Sequence, residues 1–125
     1  VFEELKKGIN DDDLLSSINE FKESTNSIFT NELNQYVFNQ IKTTISNYSQ
    51  IEDKIQKYLK NWKLNRISRV DHTNLLLAVN EVCFDKSTPV NIVINEAIEI
   101  SKKFGSIDSG PFVNGILDNI AKNEL

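Results

Sequence analysis

Apolar residues return every three or four positions over long stretches of the chain, and no two-residue alternation lasts long enough for a strand. That period predicts helices. A first helical tail is expected over residues 1–7, ending at Gly8. Asp11, Asp12 and Asp13 open a second helix, where carboxylates suit the free N–H groups and the dipole of a helix start. Leu14, Leu15, Ile18 and Phe21 supply its apolar face. A third helix begins near Thr30 or Asn31 and carries Leu33, Val37, Ile41, Thr44 and Tyr48. The run Ser49-Gln50-Ile51-Glu52 has the form of a capping box and predicts a restart instead of one long rod. The fourth helix turns Ile51, Ile55, Tyr58 and Leu59 inward, with Trp62 near its end.

Over residues 70–84 the pattern changes. Leu75, Leu76, Leu77, Ala78, Val79, Val82 and Cys83 go nearly all the way round, and a helix without a polar face is central and buried. Thr88-Pro89 gives a cap followed by proline at the first helical position. Ile92, Val93, Ala97, Ile98 and Phe104 line the helix that follows, and Gly105 ends it. Asp108 or Ser109 caps the last helix, with Phe112, Val113, Ile116, Leu117 and Ile120 facing inward. Gly115 sits mid-helix, where it costs about 1 kcal/mol against alanine, so close approach of another helix is expected there. With no linker or repeat to divide it, the chain reads as one all-α domain over residues 1–125, a bundle of about six or seven helices.

Composition narrows the function. At 125 residues the chain can bury one core unaided. It has no apolar run near the ~20 residues a bilayer needs and no signal-peptide pattern, so no membrane association is expected. One cysteine, Cys83, excludes an internal disulfide and fits the cytoplasm. Methionine is absent even at position 1, which suggests a fragment or processed product. A net charge of −4 argues against holding nucleic acid by bulk positive potential.

Catalysis lacks parts. With one histidine, His72, and one cysteine, no zinc-ligand spacing can be assembled, and no glycine-rich phosphate loop occurs. Cys83 lies on the most apolar helix and reads as core packing. Asp71 and His72 form either a capping region or a base with its orienting group. Glu96 and Glu99, followed by Lys102 and Lys103, read as a solvated ion-paired face. The expectation is a binding domain, neither enzyme nor cofactor carrier.

Two features suit binding. Lys54, Lys57, Lys60, Lys63, Arg66 and Arg69 recur every third residue, and the first three can share a helix face; the stripe is either a phosphate track or a solvent face. The loop from Ser106 to Pro111 leads into Phe112, which is either a stacking platform for an unpaired base or the first core residue of its helix.

Three stretches are similar to the NusB family of bacterial transcription antitermination factors: ISRVDHTNLLLAVNE (residues 67–81), PVNIVINEAIEISKKFG (89–105) and FVNGILD (112–118). Trp62 and Asp53 also resemble family positions. The resemblance implies two packed helical subbundles and a non-enzymatic protein. Such a protein binds the boxA element of ribosomal-RNA transcripts together with NusE, a ribosomal protein, and helps RNA polymerase read through terminators. It implies RNA contact by the loop that holds Asp108 and Phe112 and lends the basic stripe only modest support; Ser109, Lys63, Arg66, Arg69 and Lys102 complete the candidate RNA-binding set. Asp71 falls at an acidic site whose alteration affects the antitermination complex, and with Asn74 forms the implied partner-binding set. Some family members form homodimers, and related modules precede RNA-cytosine methyltransferases, so an accessory RNA-binding domain or a protein-interaction bundle are alternatives. The family's arginine-rich first helix has no counterpart here: either it lies upstream of Val1 or this member binds RNA more weakly. Leu76 and Asn80 stand where family versions carry arginine and tyrosine, and Pro111 where a basic residue is common.

Overall fold

The structure, a computed structural model, describes residues 8, 10–60 and 64–125. The helix expected over residues 1–7, and with it Trp62 and Lys63, lies outside the described residues. Those described form six α-helices and one short 3₁₀ turn, with no strand among them. They are α1 (Asp11–Ser24), α2 (Asn31–Ser46), α3 (Tyr48–Lys57), α4 (Arg69–Cys83), α5 (Val90–Phe104) and α6 (Ser109–Glu124); the 3₁₀ turn is Leu64–Arg66. The chain divides into two compact units, Val1–Ser46 and Asn47–Leu125.

In the first unit α1 packs on α2. Asn10 caps α1: its side-chain Oδ1 accepts the Asp13 N–H at 2.8 Å, while its amide donates to Asp13 Oδ2. The three aspartates follow in the first turn, as the helix dipole favours. Thr30 Oγ1 accepts the Leu33 N–H and starts α2. Lys42 pairs with Asp11 at 3.2 Å and Lys22 donates to Asn34 at 3.0 Å, joining the two helices at both ends. Only Leu14 and Ile18 of the expected α1 face are buried; Leu15 and Phe21 are exposed. The helical period correctly identified a stripe but made it wider than the surface the neighbour covers.

In the second unit α4, α5 and α6 pack on one another, and α3 lies against α4 and α6. Ile51, Ile55, Leu75, Val79, Val113 and Ile120 are sealed from solvent at its centre. Each such side chain contributes roughly 1.5–3 kcal/mol over remaining exposed. The helix restart falls as expected, but Asn47 and not Ser49 precedes it, and no side chain caps it. Tyr48 therefore opens α3 instead of closing α2. Glu52, the far end of the expected capping box, is buried, its Oε2 3.4 Å from His72 Nε2 on α4. Interior packing of that pair outweighs the local motif.

The central helix holds its polar residues by specific contacts. Ser68 caps it, accepting the Asp71 N–H at 3.1 Å. Asn74 donates to the Ala97 carbonyl at 2.8 Å and to Ser101 Oγ at 3.0 Å, while Ser101 Oγ donates to the same carbonyl. Asn80, fully enclosed, accepts from the Asn47 amide at 3.4 Å. Leu76 and Asn80 are thus interior groups here, one apolar and one hydrogen-bonded. Cys83 is half-buried, and loss of hydration pushes its thiol pKa up, as suits a packing residue.

Two further expectations need correction. Pro89 is the cap of α5 and not its first residue, because its ψ of 141° is extended. Gly115 faces open space, with nothing within 4 Å of where a Cβ would stand, so no helix among the described residues approaches it. No helix among the described residues is long and apolar enough to cross a membrane.

Candidate nucleic-acid interface

The junction between α5 and α6 is shaped by crowding. Gly105 ends α5 with an extended backbone (φ −95°, ψ −170°), so left-handed geometry is not why glycine stands there. The reason is space: a Cβ on Gly105 would meet Ser109 Oγ, and would lie 2.6 Å from Ser109 Cβ and 2.8 Å from the Ser101 carbonyl. Ser109 in turn accepts the Ser106 N–H at 3.0 Å, closing residues 106–109 into a tight turn. Asp108 precedes α6, and its carbonyl accepts the Phe112 N–H at 3.2 Å, so the two stand one turn apart.

This turn walls a groove of about 430 Å³. Arg66 of the 3₁₀ turn, Ser68, Val70 and Asp71 line one part; Phe104, Ser106, Asp108 and Phe112 line the other. Asp71 is only 9% exposed, and its Oδ1 accepts no hydrogen bond among the described residues. Arg66, on the same groove, forms no ion pair with it. Flanking this groove, a hollow of about 390 Å³ is lined by Arg69, Val70, Thr73, Asn74, Leu77, Ile100 and Phe104. A wider one, about 560 Å³, shares Gly105 and Ser106 with the groove and adds Ile98, Lys102, Ile107 and Pro111.

The structure brings Arg66 and Asp71 together with Asp108 and Phe112, from two stretches distant in sequence, in one groove. It sets Lys102 in the wider hollow, beside Glu99 at 3.4 Å, and Arg69 and Asn74 on the apolar one. The Asn74 amide is spent on α5, and Ser109 is buried beneath the turn it closes, so both act from inside. Phe112 is half-buried, which joins the two alternatives for it: one side packs and the other lines the groove.

The three-residue basic stripe does not survive as one face. Lys54 and Lys57 both bind Glu124 at 3.1 Å, and Tyr58 donates to the same carboxylate at 2.9 Å. Those bonds, from Lys57, Tyr58 and Lys54 in that order, hold the Glu124 carboxyl at a pKa of about 2. Lys60 falls past the end of α3 at a left-handed φ of 58°, so it cannot continue the helix face. Only Arg66 and Arg69 of the described stripe reach the groove and the adjoining hollow.

Sequence reading missed Phe104 as a surface residue. It was assigned to the core of α5, yet it is 65% exposed, with Lys103 Nζ 5.8 Å from its ring centroid.

The groove thus has aromatic walls and a flanking cation on a wholly helical scaffold. The NusB family profile matches residues 3–122, and the chain belongs to the NusB family. The transcription antitermination protein NusB of Thermotoga maritima is 54% identical over 76 residues, 61% of this chain and 54% of that protein; this chain thus spans about half the length of that relative. The protein of the same name from Methylacidiphilum infernorum is 36% identical over 120 residues, 96% of this chain and 80% of its own length. Among solved structures, T. maritima NusB superposes with a TM-score of 0.74 at 31% identity, covering 98% of this chain and 92% of its own. A chain from a crystal structure of a plectonemic RNA supercoil gives 0.78 at 30% identity, covering 85% of this chain and 76% of its own.

Proposed function

We propose that this chain is a cytoplasmic transcription antitermination factor, residues 1–125 acting as one RNA- and protein-binding domain. It binds boxA RNA of ribosomal-RNA transcripts together with NusE and helps RNA polymerase read through terminators. Membership of the family supports the role, and one observation carries the site: Arg66, Asp108 and Phe112 share a single groove. In that groove Phe112 and Phe104 offer faces for unpaired bases, while Arg66 on the groove and Arg69 on the adjoining hollow take phosphates. The apolar hollow beside it, walled by Val70, Leu77, Ile100 and Phe104, suits a protein partner, and NusE takes that place. The two occupants would meet along Phe104, which lines both.

Fluorescence anisotropy of boxA RNA against a scrambled control, with and without NusE at two salt concentrations, tests this. Binding of boxA in preference to the control, tightened by NusE, is the expected result. Replacing Arg66 and Arg69 by alanine should flatten the salt dependence by roughly 0.7 per lost phosphate contact. Equal, weak binding of both RNAs with no response to NusE would remove the RNA role.

A further inference from the structure

We infer that Asp71 is a specificity-determining residue of the groove, accepting hydrogen bonds from the Watson–Crick edge of one unpaired guanine; this rests on the RNA-binding reading above. Glu124, a carboxylate of the same unit, takes three donors. Asp71 is nine-tenths buried on the groove wall, with an oxygen that no described residue serves. A buried acceptor without a donor is disfavoured by desolvation, so a ligand that brings a donor is favoured there over one that does not.

The surroundings say what kind of donor. Phe104, Phe112, Ile67 and Val70 make apolar and aromatic walls suited to a flat ring, and 430 Å³ lies within the range of small-ligand sites. Asp71 and Asp108 repel a phosphate from the groove floor, leaving the backbone to Arg66 on its border. A base edge is what remains. Adenine and cytosine each present one donor beside a ring acceptor, and uracil presents one donor between two acceptors. Guanine alone presents two adjacent donors, N1–H and the N2 amino group, which match the two oxygens of a carboxylate. The Cβ–Cγ torsion of aspartate is broad, so a modest rotation turns both oxygens to the groove.

The test uses the full chain and short oligouridine RNAs carrying one central guanosine, inosine or adenosine. Inosine differs from guanosine only in lacking the N2 amino group. The native chain should bind the guanosine RNA about tenfold more tightly than the inosine RNA, within the discrimination a bidentate contact gives. Asp71→Asn, checked by circular dichroism for an unchanged helical signal, should lose that ratio while binding the inosine RNA within about twofold of the native chain. An unchanged guanosine-to-inosine ratio in Asp71→Asn overturns the inference and assigns Asp71 to the protein-docking side. Native binding that ignores the central base also overturns it, yet leaves the RNA-binding reading intact. Failure of every RNA to bind the native chain sinks both together. If Asp71→Asn unfolds, Asp71→Glu serves instead: it keeps the charge but lengthens the arm, and must shift the ratio.

Discussion

Two clusters in the second unit bring carboxylates together with cations, and they are finished to different degrees. At the foot of α6, Glu124 receives Lys54, Lys57 and Tyr58, and every charge there has its complement. At the head of the same helix, Asp71, Asp108 and Arg66 share a groove without pairing, and Asp71 keeps an unserved oxygen. Both ends carry charge within one helix length. The satisfied end ties α6 to α3, and the other end leaves a buried acceptor without a donor. Local charge count does not separate them; the number of unmet hydrogen-bonding atoms does.

The strongest way to break that comparison is to spoil the crowded turn that shapes the groove. Gly105→Ala forces a Cβ against Ser109 and the Ser101 carbonyl, and should cost roughly 3 kcal/mol in urea unfolding. It should also abolish RNA binding at temperatures where the chain remains folded. A cost below about 0.5 kcal/mol would mean that the turn opens freely and does not define the groove. Asn74→Ala, which removes two donated bonds between α4 and α5, should lose about 2 kcal/mol. Its effect on RNA affinity at low temperature should be slight, since that amide faces inward.

Phe112→Ala sharpens the contrast from the other side. Losing a stacking platform should weaken RNA binding about tenfold, measured by anisotropy. A variant that unfolds without any specific affinity loss would return Phe112 to the core. The smallest effect is expected at the satisfied end. Glu124 titrates near 2 in the fold against an ordinary 4.5, so its contribution to stability is complete above about 4.5 and fades as pH falls toward 2. Thermal melts of the native chain and Glu124→Gln should therefore differ at pH 6 and converge by pH 2, while RNA affinity at pH 7 stays unchanged. Loss of RNA affinity in Glu124→Gln would show that the two ends are not separable.

How far the sequence disclosed this depends on the range of the forces involved. Helices came through because periodicity is local: α4 reads as central from Leu75 to Val82, and it is buried there. Capping was read less well. Ser49 and Glu52 satisfy a local motif, but His72, twenty positions on, competes for Glu52. Gly115 failed for a related reason, since a glycine is informative only when its neighbours in space are known, and Gly105 was the crowded one. The loop holding Asp108 and the aromatic Phe112 stood out by residue type alone, but stacking and core packing could not be told apart there, and the family resemblance was needed to favour RNA contact. The unserved oxygen of Asp71 had no sequence signature at all, because it depends on what fails to reach it.

The bond between Asn74 and the end of α5 also bears on registration. Two helices packed through apolar ridges have nearly equivalent arrangements one turn, about 5.4 Å, apart. Leucine and isoleucine distinguish such arrangements poorly, but an amide with two designated acceptors tolerates one setting. Asn74 thus works as an indexing pin: it sets how far Phe104, at the tip of α5, stands from Asp71, at the root of α4. The width of the groove is in this sense written at Asn74, well before Gly105, the glycine that closes it.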